Sequence, residues 1–249
     1  YMAMLGIVKM GGIAGPLFSA LGPEAVKDRA LDSGTNIIIT SQYLYERLLP
    51  ILDDLADLRK IVIVGASGDM DENCVSFDDL LESGDPNFQA FNMAPTDPYI
   101  IHYTSGSTGK PKGAMLSYRN MRGVAPGIAE RLSMDAASVH LSYLPLCHVA
   151  EQMLSTFVPI YLGAQVNFGE SIRTVQEDLR EVAPTVFLGV PRIWEKLHAS
   201  ISIKMQEAGR LQRWLYRRAM AACAPFAEKS ARIVHGDAAV HLDGTARLH

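Results

Sequence analysis

The sequence predicts an α/β fold built mostly from parallel sheets flanked by helices. Short runs rich in β-branched residues alternate with stretches whose apolar residues have helical spacing. Several of the short runs are apolar on both faces, which is typical of strands covered by helices on both sides of a parallel sheet. An apolar share of 48% in 249 residues is ordinary for a globular chain with a sizeable core.

Predicted strands and helices alternate along the chain up to residue 190. The strands are expected at 36–39, 60–64, 99–104, 139–144, 165–168 and 185–190. The helices are expected at 23–32, 42–54, 120–132, 149–162 and 174–182. Segment 65–96 is rich in Gly, Asp, Asn, Pro and Ser, so it is predicted to be an irregular connection.

The region that follows is basic and helical. One long helical pattern runs from 192 to 229, with breaks predicted near Gly209 and Pro225. The basic helical region, 192–232, holds nine Lys and Arg against three Asp and Glu, a net charge of +6 that leaves −10 for the remainder.

Within it, segment 210–218 has the pattern of a basic amphipathic helix. Leu211, Trp214 and Leu215 have helical spacing beside arginines. One interpretation is peripheral contact with an anionic membrane. The favoured one is a helix packed on a core with a solvated basic face, because such faces are common on globular helices.

The composition excludes several classes of protein. A net charge of −4 provides no basic excess, so no nucleic-acid partner is expected. The three cysteines are far apart and form no Cys-x-x-Cys, which predicts neither disulfides nor zinc and favours the cytoplasm. No run of about 18 apolar residues predicts a transmembrane segment. The chain opens in an apolar helical pattern without an initiator Met or signal peptide, so we expect it to start within a longer protein.

The strongest motif is segment 103–113, Tyr-Thr-Ser-Gly-Ser-Thr-Gly-Lys-Pro-Lys-Gly, here called the phosphate loop. Its glycines permit positive φ and close backbone approach, so main-chain N–H groups can converge on phosphate oxygens. Its polar side chains are uncharged hydroxyls and lysines, which suit a triphosphate. These side chains are Thr104, Ser105, Ser107, Thr108, Lys110 and Lys112.

Two common motifs and a linker are excluded for this segment. A Walker A loop needs four residues between its glycines, whereas two separate Gly106 from Gly109, and Pro111 stands where its hydroxyl residue should be. A nucleophile elbow needs Gly-x-Ser-x-Gly, which is absent here. Flexible Gly/Ser linkers do not carry two lysines and a proline directly after a buried strand.

The phosphate loop resembles the signature loop of the acyl-adenylate-forming superfamily, which includes acyl-CoA synthetases, luciferases and peptide-synthetase adenylation domains. The similarity extends through 5–17, 31–33, 142–152 and 187–196, and so covers about residues 3 to 200. The residue patterns of the downstream segments are most similar to those of long-chain fatty acyl-CoA synthetases. Residues 1–249 are therefore expected to be part of the large N-terminal AMP-binding domain, with the C-terminal domain absent.

This resemblance implies a two-step ligase. A carboxylate would attack Mg²⁺-bound ATP to give acyl-AMP and pyrophosphate, and coenzyme A would then displace AMP. Lys110 would act catalytically, and Thr104 would contribute to the magnesium site. The residues implied to hold the β- and γ-phosphates are Thr104, Ser105, Gly106, Ser107, Thr108, Gly109 and Lys110.

The resemblance places an acyl pocket in region 141–198. His148 matches the family position near the substrate carboxylate and is taken as catalytic, although a lone histidine in an apolar segment is otherwise more often a hydrogen-bonded core residue. Cys147 beside it is interpreted as small apolar packing rather than as a nucleophile, because neighbours on an extended segment point to opposite faces.

Alternatives remain open for function. Segment 15–18 looks nearer to acetyl-CoA-synthetase-type sequences, which leaves a short-chain acid as an alternative substrate. The family's adenine segment and adenylation lysine are absent, so a non-catalytic nucleotide- or acyl-binding remnant is a second alternative. Asp237 resembles the family's ribose-binding aspartate, but it follows Trp194 too soon to receive a role.

Overall fold

The structure is a computed structural model that describes residues 1–68, 70–104 and 109–234. The chain divides into two compact units, Tyr1–Phe187 and Leu188–His249, which are considered separately. Asp237 and the other residues after 234 lie outside the described residues, as do Ser105, Gly106, Ser107 and Thr108 of the phosphate loop.

The first unit begins with a helix and a parallel sheet. Strands β1, β2 and β3 lie in that order, and Ile38 is opposite Ile61. Helix α2 starts with a proline in its first turn and ends at Gly34, whose φ of +60° is the left-handed conformation favoured by glycine. The elements are α1 Met2–Lys9, α2 Pro23–Ser33, β1 Ile37–Ser41, α3 Gln42–Leu48, the 3₁₀-helix Leu49–Asp54, β2 Lys60–Val64, β3 Cys74–Ser76 and α4 Phe77–Glu82.

A two-stranded hairpin carries the phosphate loop. Strands β4, Pro98–Thr104, and β5, Lys112–Ser117, pair antiparallel, and helix α5, Tyr118–Arg131, follows directly. A capping box between Ser117 and Asn120 fixes the start of α5, because each residue accepts a hydrogen bond from the backbone of the other.

A second parallel pair lies after the hairpin. Strands β6 and β7 are paired from Val139 opposite Gln165 to Ser142 opposite Phe168. The connection between them is helical but changes pitch in its middle. The elements are β6 Val139–Ser142, α6 Val149–Gln152, the π-helix Met153–Phe157, α7 Val158–Leu162, β7 Gln165–Phe168 and α8 Val175–Val182.

The second unit contains α9, Pro191–Glu207, and α10, Arg210–Val234. The apolar side chains of segment 210–218 are exposed, from 52% for Trp214 to 69% for Leu211, so the expected packing of this face on a core is wrong for the described residues. Among those residues, no helix has both the length and the apolar character needed to cross a membrane.

The α/β prediction is confirmed, and five of the six predicted strands are present. The strand predicted at 185–190 is wrong, because only Val186 forms a bridge, with His140, and the backbone N–H groups of Thr185 and Val186 both donate to the Val139 carbonyl. The predicted break at Gly209 is confirmed. The predicted break at Pro225 is wrong, since helix α10 continues through that proline.

Three further elements were missed by the sequence prediction. Segment 65–96 contains strand β3 and helix α4, whose start is capped by the Ser76 hydroxyl, which accepts from two backbone N–H groups. The second half of the phosphate loop begins strand β5, so the pair that carries the loop is antiparallel rather than parallel.

Candidate functional site

The phosphate loop is the connection of the β4–β5 hairpin. Thr104 ends β4 opposite Lys112 at the start of β5, and the Thr104 side chain is exposed. Gly109 has a φ of +113°, which only glycine adopts readily, so the backbone here has the conformation that the loop composition predicts. Thr104, Gly109 and Lys110 are thus the predicted phosphate-binding residues whose positions the structure describes.

Lys110 forms an ion pair with helix α2. Its Nζ lies 3.3 Å from Oδ1 of Asp28, and the two side chains are 84% and 50% exposed. Such an exposed pair is held weakly, because water and salt screen the two charges. The ammonium group is therefore accessible to a ligand on the solvent side of the loop.

Tyr103 ties the same end of the hairpin to helix α2. Its hydroxyl shares its single proton between the Arg29 carbonyl at 3.0 Å and Oδ2 of Asp32 at 2.9 Å, and the Arg29 guanidinium lies 5.5 Å from its ring centre. Burial, followed by the hydrogen bond to Asp32, raises the pKa of Tyr103 above its ordinary value. The sequence motif includes Tyr103 but does not show this long-range anchor.

His148 lies at the start of helix α6, where it serves as the N-cap. Its Nδ1 accepts a hydrogen bond from the Ala150 backbone N–H at 3.2 Å, and its ring is exposed. Because Nδ1 is the acceptor, a neutral His148 carries its proton on Nε2. The exposed ring is available to a substrate, in contrast to a histidine fixed in a core.

Strand β4 reaches the segment before His148 through a second histidine. The buried His102 ring donates from Nδ1 to the Cys147 carbonyl at 3.1 Å. The strand that ends in the phosphate loop is thus joined directly to the residue before His148. Burial raises the pKa of the Cys147 thiol, which disfavours the thiolate that a nucleophilic cysteine needs.

Four buried polar residues, here called the buried polar seam, lie on β6 and on the helical segment that His148 begins. They are His140, Ser142, Glu151 and Ser155. The hydroxyls of Ser142 and Ser155 both donate to Oε1 of Glu151 at 2.6 Å. His140 donates from Nδ1 to the Val186 carbonyl at 3.1 Å. Among the described residues, Oε2 of Glu151 and Nε2 of His140 have no hydrogen-bond partner.

The seam was not predicted from the sequence. Glu151 lies in the quoted segment 142–152, but nothing local indicates that its carboxylate is fully buried. The signal available in the sequence was an acidic residue, Glu151, in a largely apolar helical segment. In the structure, a π-helix follows directly at Met153–Phe157. Helices of this kind are frequent at functional sites.

An apolar cavity of about 290 Å³ lies in the first unit. It is lined by α1, β4, α5 and the helical segment after His148, and the buried Tyr99 hydroxyl has no described hydrogen-bond partner. Part of the lining falls within the predicted acyl-pocket region 141–198, namely Thr156, Phe157, Ile160 and Tyr161. His148 is not among the lining residues.

The residue predicted to contribute to the magnesium site, Thr104, lies within the described residues. In 1–68, 70–104 and 109–234, no group of three or more His, Cys, Asp or Glu side chains is placed to hold a metal ion. Thr104 supplies one exposed hydroxyl oxygen at the end of β4, a donor type suited to Mg²⁺, which takes most of its remaining ligands from water and phosphates.

Comparisons with known proteins identify the family of this chain. A family model described as "AMP-binding enzyme" matches residues 1–242. A long-chain-fatty-acid–CoA ligase of Homo sapiens is 31% identical over 213 residues, which cover 81% of this chain and 32% of the human protein. The chain therefore spans about a third of the length of this curated relative.

Solved structures show the same fold. A long-chain-fatty-acid-CoA ligase from Archaeoglobus fulgidus has a TM-score of 0.71 at 21% identity, covering 83% of this chain and 40% of its own. ATP-bound MatB from Rhodopseudomonas palustris has a TM-score of 0.65 at 22% identity, covering 78% of this chain and 37% of its own. The resemblance read from the phosphate loop is confirmed, and the chain belongs to the family of AMP-binding enzymes.

Proposed function

We propose that this chain is part of a ligase that activates a long- or medium-chain fatty acid with ATP and transfers the acyl group to coenzyme A. The observation that carries the proposal is the phosphate loop, positioned on a hairpin with Lys110 exposed at its surface. The fatty acid is supported by the name of the human relative, a long-chain-fatty-acid–CoA ligase, and ATP by the nucleotide bound to MatB.

The chemistry requires charge stabilisation more than covalent catalysis. A carboxylate oxygen attacks the α-phosphorus, the bond to the β-phosphate oxygen breaks, and pyrophosphate leaves with its electron pair. The thiol sulfur of coenzyme A then attacks the acyl carbonyl, AMP leaves, and the thiol proton passes to solvent. Because negative charge grows on the departing pyrophosphate, a loop of N–H donors and Lys110 is suited to the first step.

The remaining roles follow the same proposal. Thr104, Gly109 and Lys110, together with Ser105, Gly106, Ser107 and Thr108, bind the β- and γ-phosphates. Thr104 would hold Mg²⁺, which supplies neutralising charge when it is bound. His148 orients the substrate carboxylate through the Nε2–H that its capping hydrogen bond leaves free.

Nucleotide titration tests the loop. Calorimetry of the 249-residue chain with MgATP should show binding, and Lys110→Ala should weaken it about tenfold, the effect of losing one charge-assisted contact. Lys60→Ala is the matched control, because Lys60 is an exposed lysine on β2 whose ammonium group donates to the Glu72 carbonyl. Absence of binding by the unaltered chain would reject the proposal.

The apolar cavity is the proposed site of the alkyl chain. Its lining is almost wholly hydrocarbon and aromatic, which suits a fatty acid and offers little to acetate. Ala125→Phe should fill the cavity and reduce binding of a fluorescent long-chain acid, without affecting MgATP. Gly123→Ala, on the same helix but with no atom within 4 Å of the added methyl, is the control.

The choice between acids is tested in the longer protein. With the segments that complete the ligase present, pyrophosphate exchange should be faster with a long-chain acid than with acetate. The reverse order would favour the short-chain alternative. Nucleotide binding without any exchange would favour the non-catalytic alternative.

We further propose peripheral membrane contact through segment 210–218. Exposed Leu211, Trp214 and Leu215 accompany four arginines, and no acidic residue lies in the segment. Vesicles containing phosphatidylserine should pellet the chain at low salt and release it at high salt. The double variant Arg213→Glu and Arg217→Glu should not pellet, whereas Arg119→Glu on α5 should pellet like the unaltered chain. Equal pelleting by the unaltered chain and both variants would contradict the proposal.

A further inference from the structure

The lysine proposed to bind phosphate already has an anionic partner within the protein. Nζ of Lys110 lies 3.3 Å from Oδ1 of Asp28, although 82 residues separate the two in sequence. A single ammonium group cannot be optimally placed for this carboxylate and for a polyphosphate oxygen at once, since both are anions that compete for its few donors. The ion pair therefore bears directly on nucleotide binding.

Helix α2 is held in the position that makes this pairing possible. Asp32 lies one turn after Asp28 on the same helix face and accepts from the Tyr103 hydroxyl at 2.9 Å. The Arg29 carbonyl accepts from the same hydroxyl at 3.0 Å, and the Arg29 guanidinium stacks near the ring. Tyr103 thus anchors α2 beside the hairpin, and Asp28 lies next to Lys110 as a result.

The contacts of Tyr103 with α2 and the ion pair between Asp28 and Lys110 differ in how easily they break. Tyr103 is half-buried and bonded twice, whereas Asp28 and Lys110 are 50% and 84% exposed and share one long contact. An exposed pair of this kind is easily replaced by a more highly charged partner. The anchor can stay in place while the ion pair opens.

We propose that Asp28 is an internal competitor that holds Lys110 when no nucleotide is bound and must release it when a triphosphate enters the phosphate loop. Asp28 is a positioning residue that acts through Lys110, and it lowers the affinity of the loop for polyphosphates. This inference rests on the proposed nucleotide-binding function.

A double-mutant cycle tests it. Asp28→Asn should tighten binding of MgATP and of inorganic tripolyphosphate by about two- to fivefold at low salt, the range expected for an exposed ion pair. In the Lys110→Ala background the same substitution should change affinity little, because no lysine remains to be released. Asp32→Asn is the matched control, since it removes the same charge from the same helix face without touching Lys110.

Three results would overturn the inference. Weaker binding by Asp28→Asn would mean that Asp28 holds Lys110 in its binding position. An equal gain in Asp32→Asn, or an undiminished gain in the Lys110→Ala background, would mean that only the general charge of α2 matters. Tripolyphosphate and ATP serve as separate probes, because an effect on both places the competition at the phosphates rather than at the nucleoside.

A second measurement does not depend on nucleotide. An amine-reactive reagent should modify Lys110 faster in Asp28→Asn than in the unaltered chain at low salt, and at equal rates at high salt, which screens the pair. Equal rates at low salt would overturn the proposed competition. If the unaltered chain bound neither polyphosphate but Lys110 were modified faster in Asp28→Asn, the proposed function would be rejected. The ion pair itself would still be established.

Discussion

The phosphate loop and the buried polar seam are both polar, yet they are built in opposite ways. The loop is continuous in sequence, its described residues Thr104, Gly109 and Lys110 are exposed, and the ion pair between Lys110 and Asp28 is 3.3 Å long. In the seam, Ser142 and Ser155 bond a Glu151 carboxylate that is fully buried, each at 2.6 Å. The loop presents groups to a ligand, whereas the seam uses its groups to fix the helix that His148 begins.

This difference distinguishes residues that bind a ligand from residues that hold the fold together. Exposed groups around a phosphate can change partner at little cost, because water replaces whatever is lost. A buried carboxylate cannot, because losing a donor in a dry interior carries the full desolvation cost of the group left behind. Substitutions of polar side chains should therefore affect stability strongly in the seam and weakly at the loop.

The largest effect is expected for Glu151→Ala. It leaves two buried hydroxyls without their acceptor and opens a small void, so the free energy of unfolding should fall by about 2–4 kcal/mol. Urea denaturation followed by circular dichroism measures the change. A variant as stable as the unaltered chain would show that the two 2.6 Å contacts do not hold the helix.

Glu151→Gln provides the control for this substitution. The amide oxygen can still accept from both serines, so the expected loss is only about 1 kcal/mol. Equal losses for the alanine and glutamine variants would attribute the effect to the charge of Glu151 rather than to its role as an acceptor.

Next in size is a steric effect within the hairpin itself. A Cβ on Gly113 would lie 2.5 Å from Cδ1 and 3.0 Å from Cγ1 of Ile101, and 3.3 Å from the Tyr103 ring. Gly113→Ala should therefore cost about 1–3 kcal/mol, the usual penalty of overpacking, in the same denaturation measurement. Gly123→Ala, in the exposed middle of α5 with open space around it, should instead stabilise by up to about 1 kcal/mol; loss of stability in both variants would contradict the assigned clash.

These contrasts explain what sequence could predict. The phosphate loop, the alternation of strands and helices and the break at Gly209 depend on local composition, and all are visible in a short window. The anchor from Tyr103 to Asp32 and the bond from His102 to Cys147 join residues 71 and 45 positions apart. Their side chains are compatible with many partners, so only tertiary packing determines which one they meet.

The strand predicted at 185–190 failed for a related reason. Its residues have high β-propensity, but propensity does not supply a neighbouring strand. Val186 forms an isolated parallel bridge with His140 of β6, and residues 185–190 form no strand. The missed strand β5 is the converse, since its glycine and lysine have low propensity and pairing with β4 alone makes it a strand.

A smaller, pH-dependent effect should come from the buried histidines. Burial lowers the pKa of His140, against a smaller opposing influence of the Val186 carbonyl and Glu151, and burial also lowers the pKa of His102. Below the ordinary pKa of 6.5, the unfolded chain binds protons at these histidines that the folded chain does not bind. Stability should therefore be full above that pH and fall as the solution is acidified through it. Thermal unfolding between pH 8 and pH 5 measures this, and His140→Gln should flatten the curve, whereas His198→Gln, at an exposed position, should not.

The smallest effect on stability is expected at the ion pair. Asp28 and Lys110 are largely exposed, so Asp28→Asn should change the free energy of unfolding by less than about 0.5 kcal/mol in urea denaturation. Asp32→Ala should cost more, about 1 kcal/mol, because it removes an acceptor from the half-buried Tyr103 hydroxyl. A loss at Asp28 as large as the loss at Asp32 would make the ion pair a structural contact of the fold. The ion pair could then not open freely for a nucleotide. The proposed contrast, in which the loop exchanges partners and the seam does not, would be wrong for the contact between Asp28 and Lys110.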